Sequence, residues 1–165
     1  MQRRRFVLVA MGVFVAALGV AAPASSATAA TAVQVSVSIT EPIVPAFKQG
    51  DCPVLPEGFC GQGLVHPFGL ARDIIDFGGG CAGACDLRTL VLPQGTLYFN
   101  EFFSDLGCPG SCHPNRAEPI SASLTDVVSG GTGLFVGAAG TLTGSVKAAG
   151  LESLVKLSGT ITLAD

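Results

Sequence analysis

Length, charge and cysteine content narrow the classes of protein to which this chain can belong. Its 165 residues carry nine Lys and Arg against twelve Asp and Glu. A nucleic-acid partner is not expected, because phosphate binding needs a concentrated basic surface. Six cysteines in a chain that is 48% hydrophobic favour a small cross-linked domain of an oxidising compartment.

The first predicted element is a secretory signal peptide over residues 1–29. Three arginines at positions 3–5 precede an apolar run over residues 6–22, and an Ala-x-Ala sequence ends at Ala29. Retention of the run as a membrane anchor is the less favoured alternative, because the run is short and small residues follow it. The paired arginines also loosely resemble a twin-arginine signal, so the export route stays open. Either route predicts a secreted, extracellular protein.

Cleavage would leave residues 30–165 with six basic and twelve acidic residues, a net charge of about −6. This length suits one domain that buries most of its apolar surface. We expect neither a second domain nor a further apolar run able to span a membrane.

Alternating apolar and polar residues predict strands along most of this domain. The clearest run is residues 33–40, where Val or Ile alternates with Gln, Ser or Thr. A hairpin is expected around Pro93-Gln94-Gly95, whose glycine suits a turn that needs positive φ. No stretch shows the 3.6-residue period of a capped helix, so the predicted class is all-β. Strands are predicted at residues 33–40, 87–92, 96–103, 120–127, 133–146 and 155–163.

Three segments are predicted to be loops, and all six cysteines lie in them. Residues 41–67 hold five of the ten prolines and two cysteines, which indicates one long irregular loop stapled by a disulfide. Residues 78–85 and 108–114 each hold a Cys-x₃-Cys pair. The cysteines therefore mark the loops and spare the strands.

An even number of cysteines in an exported chain predicts disulfides, although several connectivities are possible. Local pairs are favoured because each pair lies within one predicted loop. The alternative is a metal site that also uses His113, but structural zinc more often has Cys-x₂-Cys spacing. No Cys-x-x-Cys redox motif occurs, and no metal or other cofactor is expected. The predicted pairs are Cys52 with Cys60, Cys81 with Cys85, and Cys108 with Cys112, and the metal alternative would use the last four of these cysteines.

The most informative segment is residues 130–138, Gly-Gly-Thr-Gly-Leu-Phe-Val-Gly-Ala, together with Gly-Thr-Ile at residues 159–161. Such dense glycine suits strands that bend sharply in a small barrel. The segment resembles the late GGTG-x-F-x-GA region of the allene oxide cyclase and dirigent barrel families. The resemblance implies one antiparallel barrel of about eight strands with a central cavity, in families that cyclise hydrophobic small molecules or guide their coupling. None of their catalytic motifs can be placed here, and the six cysteines depart from their pattern.

Enzymatic constellations are sparse. His66 and His113 each precede a proline, and Ser111 does not lie in a Gly-x-Ser-x-Gly elbow. The spacing of the glycines in residues 130–137 matches neither Gly-x-Gly-x-x-Gly nor the Walker sequence of phosphate-binding loops. Hydrolase activity and nucleotide binding are therefore not expected.

One polar cluster is a candidate pocket. Glu101 shares a strand face with Leu97, Phe99 and Phe103, where the alternation would place an apolar residue. The favoured alternative is that this face meets solvent or that its charges pair at the barrel rim. The candidate pocket residues are Arg72, Asp76, Arg88, Tyr98 and Glu101.

Three functions are compatible with these features. The leading hypothesis is a secreted, non-catalytic barrel that binds a small apolar ligand or a surface partner. The second is a cyclase-like or dirigent-like protein that shapes a reactive intermediate, and the third is an extracellular structural or assembly protein with a solid barrel. A homo-oligomer formed through the strand near Phe102 and Phe103 is a further possibility.

Overall fold

The computed structural model describes residues 30–42, 52, 58–107 and 119–164. These residues form a closed antiparallel barrel in which each strand pairs with the next and the last pairs with the first. The all-β, eight-stranded barrel prediction is confirmed. The strands are β1 Thr31–Pro42, β2 Gly58–His66, β3 Gly69–Gly80, β4 Cys85–Leu92, β5 Gly95–Gly107, β6 Ile120–Gly131, β7 Ala139–Ala149 and β8 Glu152–Leu163.

The two-residue alternation decides which side chains fill the barrel. In β1, Val35, Val37 and Ile39 are buried while the intervening Ser36 and Ser38 are exposed. β8 closes the barrel against β1, with Val37 opposite Leu157. All eight strands contribute inward side chains to the core. Because β8 pairs with β1, closure of the barrel removes both sheet edges.

The predicted loop over residues 41–67 is wrong for its second half, where β2 runs from Gly58 to His66. Glycines occupy positions 58, 61 and 63 of this strand, and its buried apolar residue is Val65. The alternation is therefore hidden in the sequence, because the inward positions of β2 carry few side chains. The predicted loop at residues 78–85 is also too long, since β3 continues to Gly80 and a 3₁₀ turn spans Cys81–Gly83.

The glycine-rich segment is not one strand. Residues 133–146 contain a 3₁₀ turn at Gly133–Phe135, and β7 begins only at Ala139. Phe135 is fully buried and lies perpendicular to Phe68, with ring centroids 5.0 Å apart. The segment therefore folds an aromatic plug into the barrel.

The predicted hairpin of β4 and β5 is confirmed, with a tighter turn. Gly95 already pairs with Leu92, so only Pro93 and Gln94 lie between the paired residues. Gly95 has φ of +147°, and a Cβ atom there would overlap the carbonyl oxygen of Thr132. This position therefore requires glycine.

The sequential antiparallel order gives the barrel two different ends. Phe68 and Phe135 fill one end, where the connections after β2, β4 and β6 lie, and we call it the closed end. The opposite end receives the connections after β1, β3, β5 and β7, and we call it the mouth.

Both disulfides of the described residues lie at the mouth. Cys52 is bonded to Cys60, and Cys81 is bonded to Cys85, which confirms two of the three predicted pairs and removes two thiolates that the alternative metal site required. The predicted pair Cys108–Cys112 and the predicted signal peptide lie outside the described residues.

Candidate functional site

A single arginine lies deep inside the barrel, surrounded by carboxyl groups from four strands. Arg88 of β4 is 2% exposed. Its Nη1 donates to Glu41 Oε1 at 2.8 Å and to Asp73 Oδ2 at 2.6 Å, and its Nε donates to Glu101 Oε2 at 2.6 Å. Asp126 Oδ2 lies 3.5 Å from the same Nε. We call these five residues the Arg88 cluster.

Strand register brings the cluster together. Arg88 is opposite Ile75 of β3 and Phe99 of β5. Asp73 and Glu101 lie two residues from those partners on the same inward face, which is a diagonal separation that an arginine side chain can bridge. Asp126 of β6 is directly opposite Glu101. The site is therefore built entirely on strands, which hold it rigidly.

The cluster contains more negative than positive groups. One guanidinium against four carboxylates gives a formal charge of −3 when all are ionised. Asp73 Oδ1, Glu101 Oε1 and both carboxyl oxygens of Asp126 are buried without a hydrogen-bond partner. Unpaired buried carboxylates are strongly disfavoured, so the environment favours protonation of some of them.

As a result, the pKa values of two aspartates of the cluster are raised. Burial, together with the neighbouring charge of Glu101, raises the pKa of Asp126 to about 9. Burial and the negative charge of Glu41 raise the pKa of Asp73 well above its usual value, although Arg88 opposes the shift. Asp126 is therefore a neutral acid at pH 7, and burial shifts Asp73 in the same direction, toward its neutral form.

Glu41 behaves in the opposite way. Burial alone would raise its pKa, but the charge of Arg88 and hydrogen bonds from Asp73, Ser153 and Arg88 outweigh burial and lower the pKa. The hydroxyl of Ser153 on β8 donates to Glu41 Oε2. Glu41 is thus the carboxylate of the cluster that hydrogen bonds stabilise most completely. In turn, the surrounding carboxylates outweigh the burial of Arg88 and raise its pKa well above its usual value.

A cavity of about 160 Å³ lies between the Arg88 cluster and the mouth. Its floor is polar and consists of Glu41, Arg88, Glu101 and Ser153. Its walls are apolar and reach solvent at Phe103 and Leu106, which are 45% and 57% exposed. The walls include Phe59, Ile75, Phe77, Phe103, Leu106, Ile120, Ala122, Val146 and Ala148.

Of the five predicted pocket residues, the structure brings two together. Arg88 and Glu101 lie in the interior, neither in solvent nor at the rim. Arg72 is exposed on the outer face of β3, and Asp76 and Tyr98 are half-buried at outward positions of β3 and β5. These three residues do not line the cavity.

The predicted candidate pocket residues do not include Glu41, Asp73 and Asp126. Each lies on an inward row, and the same parity argument that singled out Glu101 applies to it. Asp73 falls between buried Ala71 and Ile75, and Asp126 follows buried Leu124 by two residues. The predicted strand at residues 120–127 already contains Asp126, whereas Glu41 and Asp73 lie outside the predicted strands, so the parity argument was not applied to them.

A larger depression of about 540 Å³ lies on the outer surface across β2, β1, β8 and β7. Its charged or titratable side chains, His66 and Lys156, are exposed. It holds none of the buried charge that distinguishes the mouth cavity.

Neither a metal centre nor a membrane helix is found among the described residues. No group of three or more His, Cys, Asp or Glu residues in this part of the chain is arranged to hold a metal ion. No helix within the same ranges has the length and apolar character needed to cross a membrane.

Comparison with known proteins gives the chain no relative. No protein-family model, curated protein or solved structure matches it. The resemblance to allene oxide cyclase and dirigent barrels therefore stays a prediction.

Proposed function

We propose that this chain is a secreted, non-catalytic β-barrel protein that binds a small apolar ligand in the mouth cavity. The observation that carries the proposal is the cavity itself, with apolar walls above a small number of fixed polar groups. That combination is typical of ligand sites, in which apolar surface supplies affinity and a few polar groups fix orientation.

The size of the cavity limits the ligand. An apolar protein cavity of about 150 Å³ accommodates benzene, and the mouth cavity has about 160 Å³. We therefore expect one ring, or the end of a longer chain whose remainder extends past Phe103 and Leu106. Burial of such a group contributes about 25 cal/mol per Å² of apolar surface.

The architecture favours binding with little rearrangement. The floor residues lie on strands, and Cys52–Cys60 and Cys81–Cys85 constrain the connections at the mouth. Two disulfides also suit an oxidising compartment, which supports secretion together with the predicted signal peptide.

A matched pair of variants tests the proposal. Ala148 lines the cavity, whereas the adjacent Ala149 is exposed on the outer face of β7. Toluene should raise the melting temperature of the wild-type protein and of Ala149→Leu, but not of Ala148→Leu, in which the larger side chain fills the cavity. Failure of the wild-type protein to bind toluene or related single-ring compounds would instead favour a structural or assembly role.

A dirigent-like or cyclase-like activity is the second candidate, because Arg88 and Glu101 lie on the polar floor of a cavity with apolar walls. Charged groups beside an apolar lumen are what guidance of a reactive intermediate would require. To distinguish the two functions, each compound that binds is incubated with the wild-type protein or with Glu101→Gln, and the amount of unchanged compound is then measured by chromatography. Conversion by the wild-type protein alone, with binding retained in the variant, would favour the activity. Unchanged recovery favours the non-catalytic proposal.

A further inference from the structure

We propose that the mouth cavity selects apolar ligands that carry a primary ammonium group, with this group against Glu101 at the cavity floor. The inference rests on the proposed function and names the chemical class of its ligand.

The first argument is the kind of hydrogen-bonding group that the floor leaves unpartnered. Glu101 is 1% exposed and lines the cavity, and its Oε1 accepts no hydrogen bond. Among the described residues, every buried side-chain nitrogen or oxygen without a hydrogen-bond partner is a carboxyl oxygen of the Arg88 cluster. The unpartnered buried atoms are therefore carboxyl oxygens, and a ligand that brings N–H groups supplies donors to them.

The second argument is which hydrogen-bonding groups of the cavity floor already have partners. Arg88 Nε and Nη1 are held by Glu101, Glu41 and Asp73, and Glu41 Oε2 accepts from Ser153. The other oxygen of Glu101, Oε1, is the unpartnered acceptor that belongs to a cavity-lining residue. This places the polar end of the ligand at β5, with its apolar part toward Phe59 and Phe103.

The third argument is the sign of the charge. Four carboxyl groups from β1, β3, β5 and β6 surround one guanidinium, so a second cation reduces the formal imbalance whereas an anion increases it. A neutral hydroxyl would supply a donor but no charge. We therefore expect a primary amine to bind more tightly than the matching alcohol, the alcohol more tightly than the hydrocarbon, and the matching carboxylate least.

Binding of an amine is also coupled to the release of a proton from the protein. Asp126, opposite Glu101, is a neutral acid in the unliganded cluster, which contains Arg88, Glu41, Asp73 and the Ser153 hydroxyl as its other polar groups. A bound ammonium group takes over the neutralising role of the Asp126 proton. The Asp126 O–H bond then breaks and its proton passes to the buffer, so that the ligand adds one positive charge and the protein loses one.

Titration calorimetry at pH 7 with benzylamine, benzyl alcohol, toluene and benzoate tests the inference. Because hydrogen bonds to charged groups are the stronger ones, benzylamine should bind about tenfold or more tightly than toluene, and benzoate should not bind. Glu101→Gln should weaken benzylamine binding about tenfold while toluene binding stays nearly unchanged. The conservative Asp126→Asn variant should retain benzylamine binding but lose the buffer-dependent part of the binding enthalpy that reports proton release.

The outcomes separate the inference from the proposed function. Toluene binding without a preference for benzylamine would overturn the inference and leave the proposed function intact. Binding of none of the four compounds would overturn both. Should Glu101→Gln fail to fold, the order of the four affinities in the wild-type protein and the loss of proton release in Asp126→Asn still decide the question.

Discussion

Arg88 and Glu101 lie on neighbouring strands in diagonal positions, and Arg88 Nε donates to Glu101 Oε2 at 2.6 Å inside the barrel. This pair divides the interior into two apolar regions. One is the packed core toward Phe68 and Phe135, and the other is the cavity at the mouth. Buried ionic groups give little net stability when compared with apolar residues of similar size. The cluster is therefore better explained by a role at the cavity than by a contribution to folding.

Arg88→Met should strongly destabilise the barrel at pH 7. Arg88 is the cation that faces Glu41, Asp73, Glu101 and Asp126, and its removal leaves buried carboxylates without a partner. Removal of one member of a buried ion pair typically costs about 3–5 kcal/mol. Urea unfolding followed by circular dichroism measures this loss, which should become smaller at pH 4, where the carboxyl groups are more readily protonated.

Arg72→Met is the matched control, since Arg72 lies exposed on the outer face of the adjacent strand. Exposed charges contribute about 0–1 kcal/mol, so the free energy of unfolding should change little. Equal losses for the two variants would contradict a special role of the buried arginine.

The stability of the barrel should fall as the pH rises from about 4 to 9. The pKa of Asp126 is about 9 in the folded state against an ordinary value of 3.8, so folding takes up a proton between these values. The stabilisation is complete below the unfolded pKa and is lost as the pH rises through the folded pKa, at up to about 1.4 kcal/mol for each pH unit. Asp73 shifts in the same direction. The lowered pKa of Glu41 removes stability only at more acidic pH.

Urea unfolding at intervals from pH 4 to pH 9 tests this dependence. Asp126→Asn removes one titrating group but keeps an uncharged side chain of the same shape. The variant should therefore show a shallower loss of stability over this range. A wild-type stability that rises steadily from pH 4 to pH 9 would show that Asp126 is ionised in the folded protein.

The sequence predicts strands well where apolar side chains fill the inward row, whereas β3, whose inward row includes Asp73, was not among the predicted strands. β1 and β8 are evident from their alternating Val, Leu and Ile residues, and the hairpin of β4 and β5 is evident from its glycine turn. β2 is hidden because glycines replace its inward side chains at positions 61 and 63. Where glycine lets the backbone approach a neighbouring strand, no side chain is present to show the alternation of apolar and polar residues.

The candidate site is only half visible for a different reason. From the sequence alone, parity within β5 places Glu101 on the same face as Leu97 and Phe99, although the favoured interpretation put that face in solvent or its charges at the rim. Assigning Arg88, Asp73 and Asp126 to the same point requires the register between β3, β4, β5 and β6, which is a tertiary property. The sequence therefore indicates a misplaced charge, and the closed barrel is needed to show that four carboxyl groups share one arginine.

Gly144→Ala should destabilise the barrel by about 1–3 kcal/mol, the usual cost of overpacking. Gly144 of β7 is opposite Leu157 of β8, and a Cβ atom there would overlap the carbonyl oxygen of Lys156 and lie 2.8 Å from Leu157 Cα. Backbone atoms of a closed barrel cannot easily move apart. Thermal unfolding measures the loss.

Gly130→Ala is the control for this substitution. A Cβ atom at Gly130 would lie 3.8 Å from Tyr98 Cδ2, which is an ordinary contact. The stability should therefore change by less than about 0.5 kcal/mol. A similar loss in both variants would indicate that strand glycines act through backbone flexibility and not through close approach.

Removal of the Cys81–Cys85 disulfide by the double substitution Cys81→Ser and Cys85→Ser should lower stability by about 2 kcal/mol, because a bridge across a sequence separation of four closes only a short loop in the unfolded chain. The bridge lies at the mouth, between β3 and β4, while the packed core extends from the Arg88 cluster toward the closed end. The variant should therefore keep the far-ultraviolet circular dichroism of the barrel and unfold in one transition at a lower urea concentration. Collapse of the whole barrel on loss of this bridge would show that the mouth connections, and not the inward rows of the strands, hold the fold together.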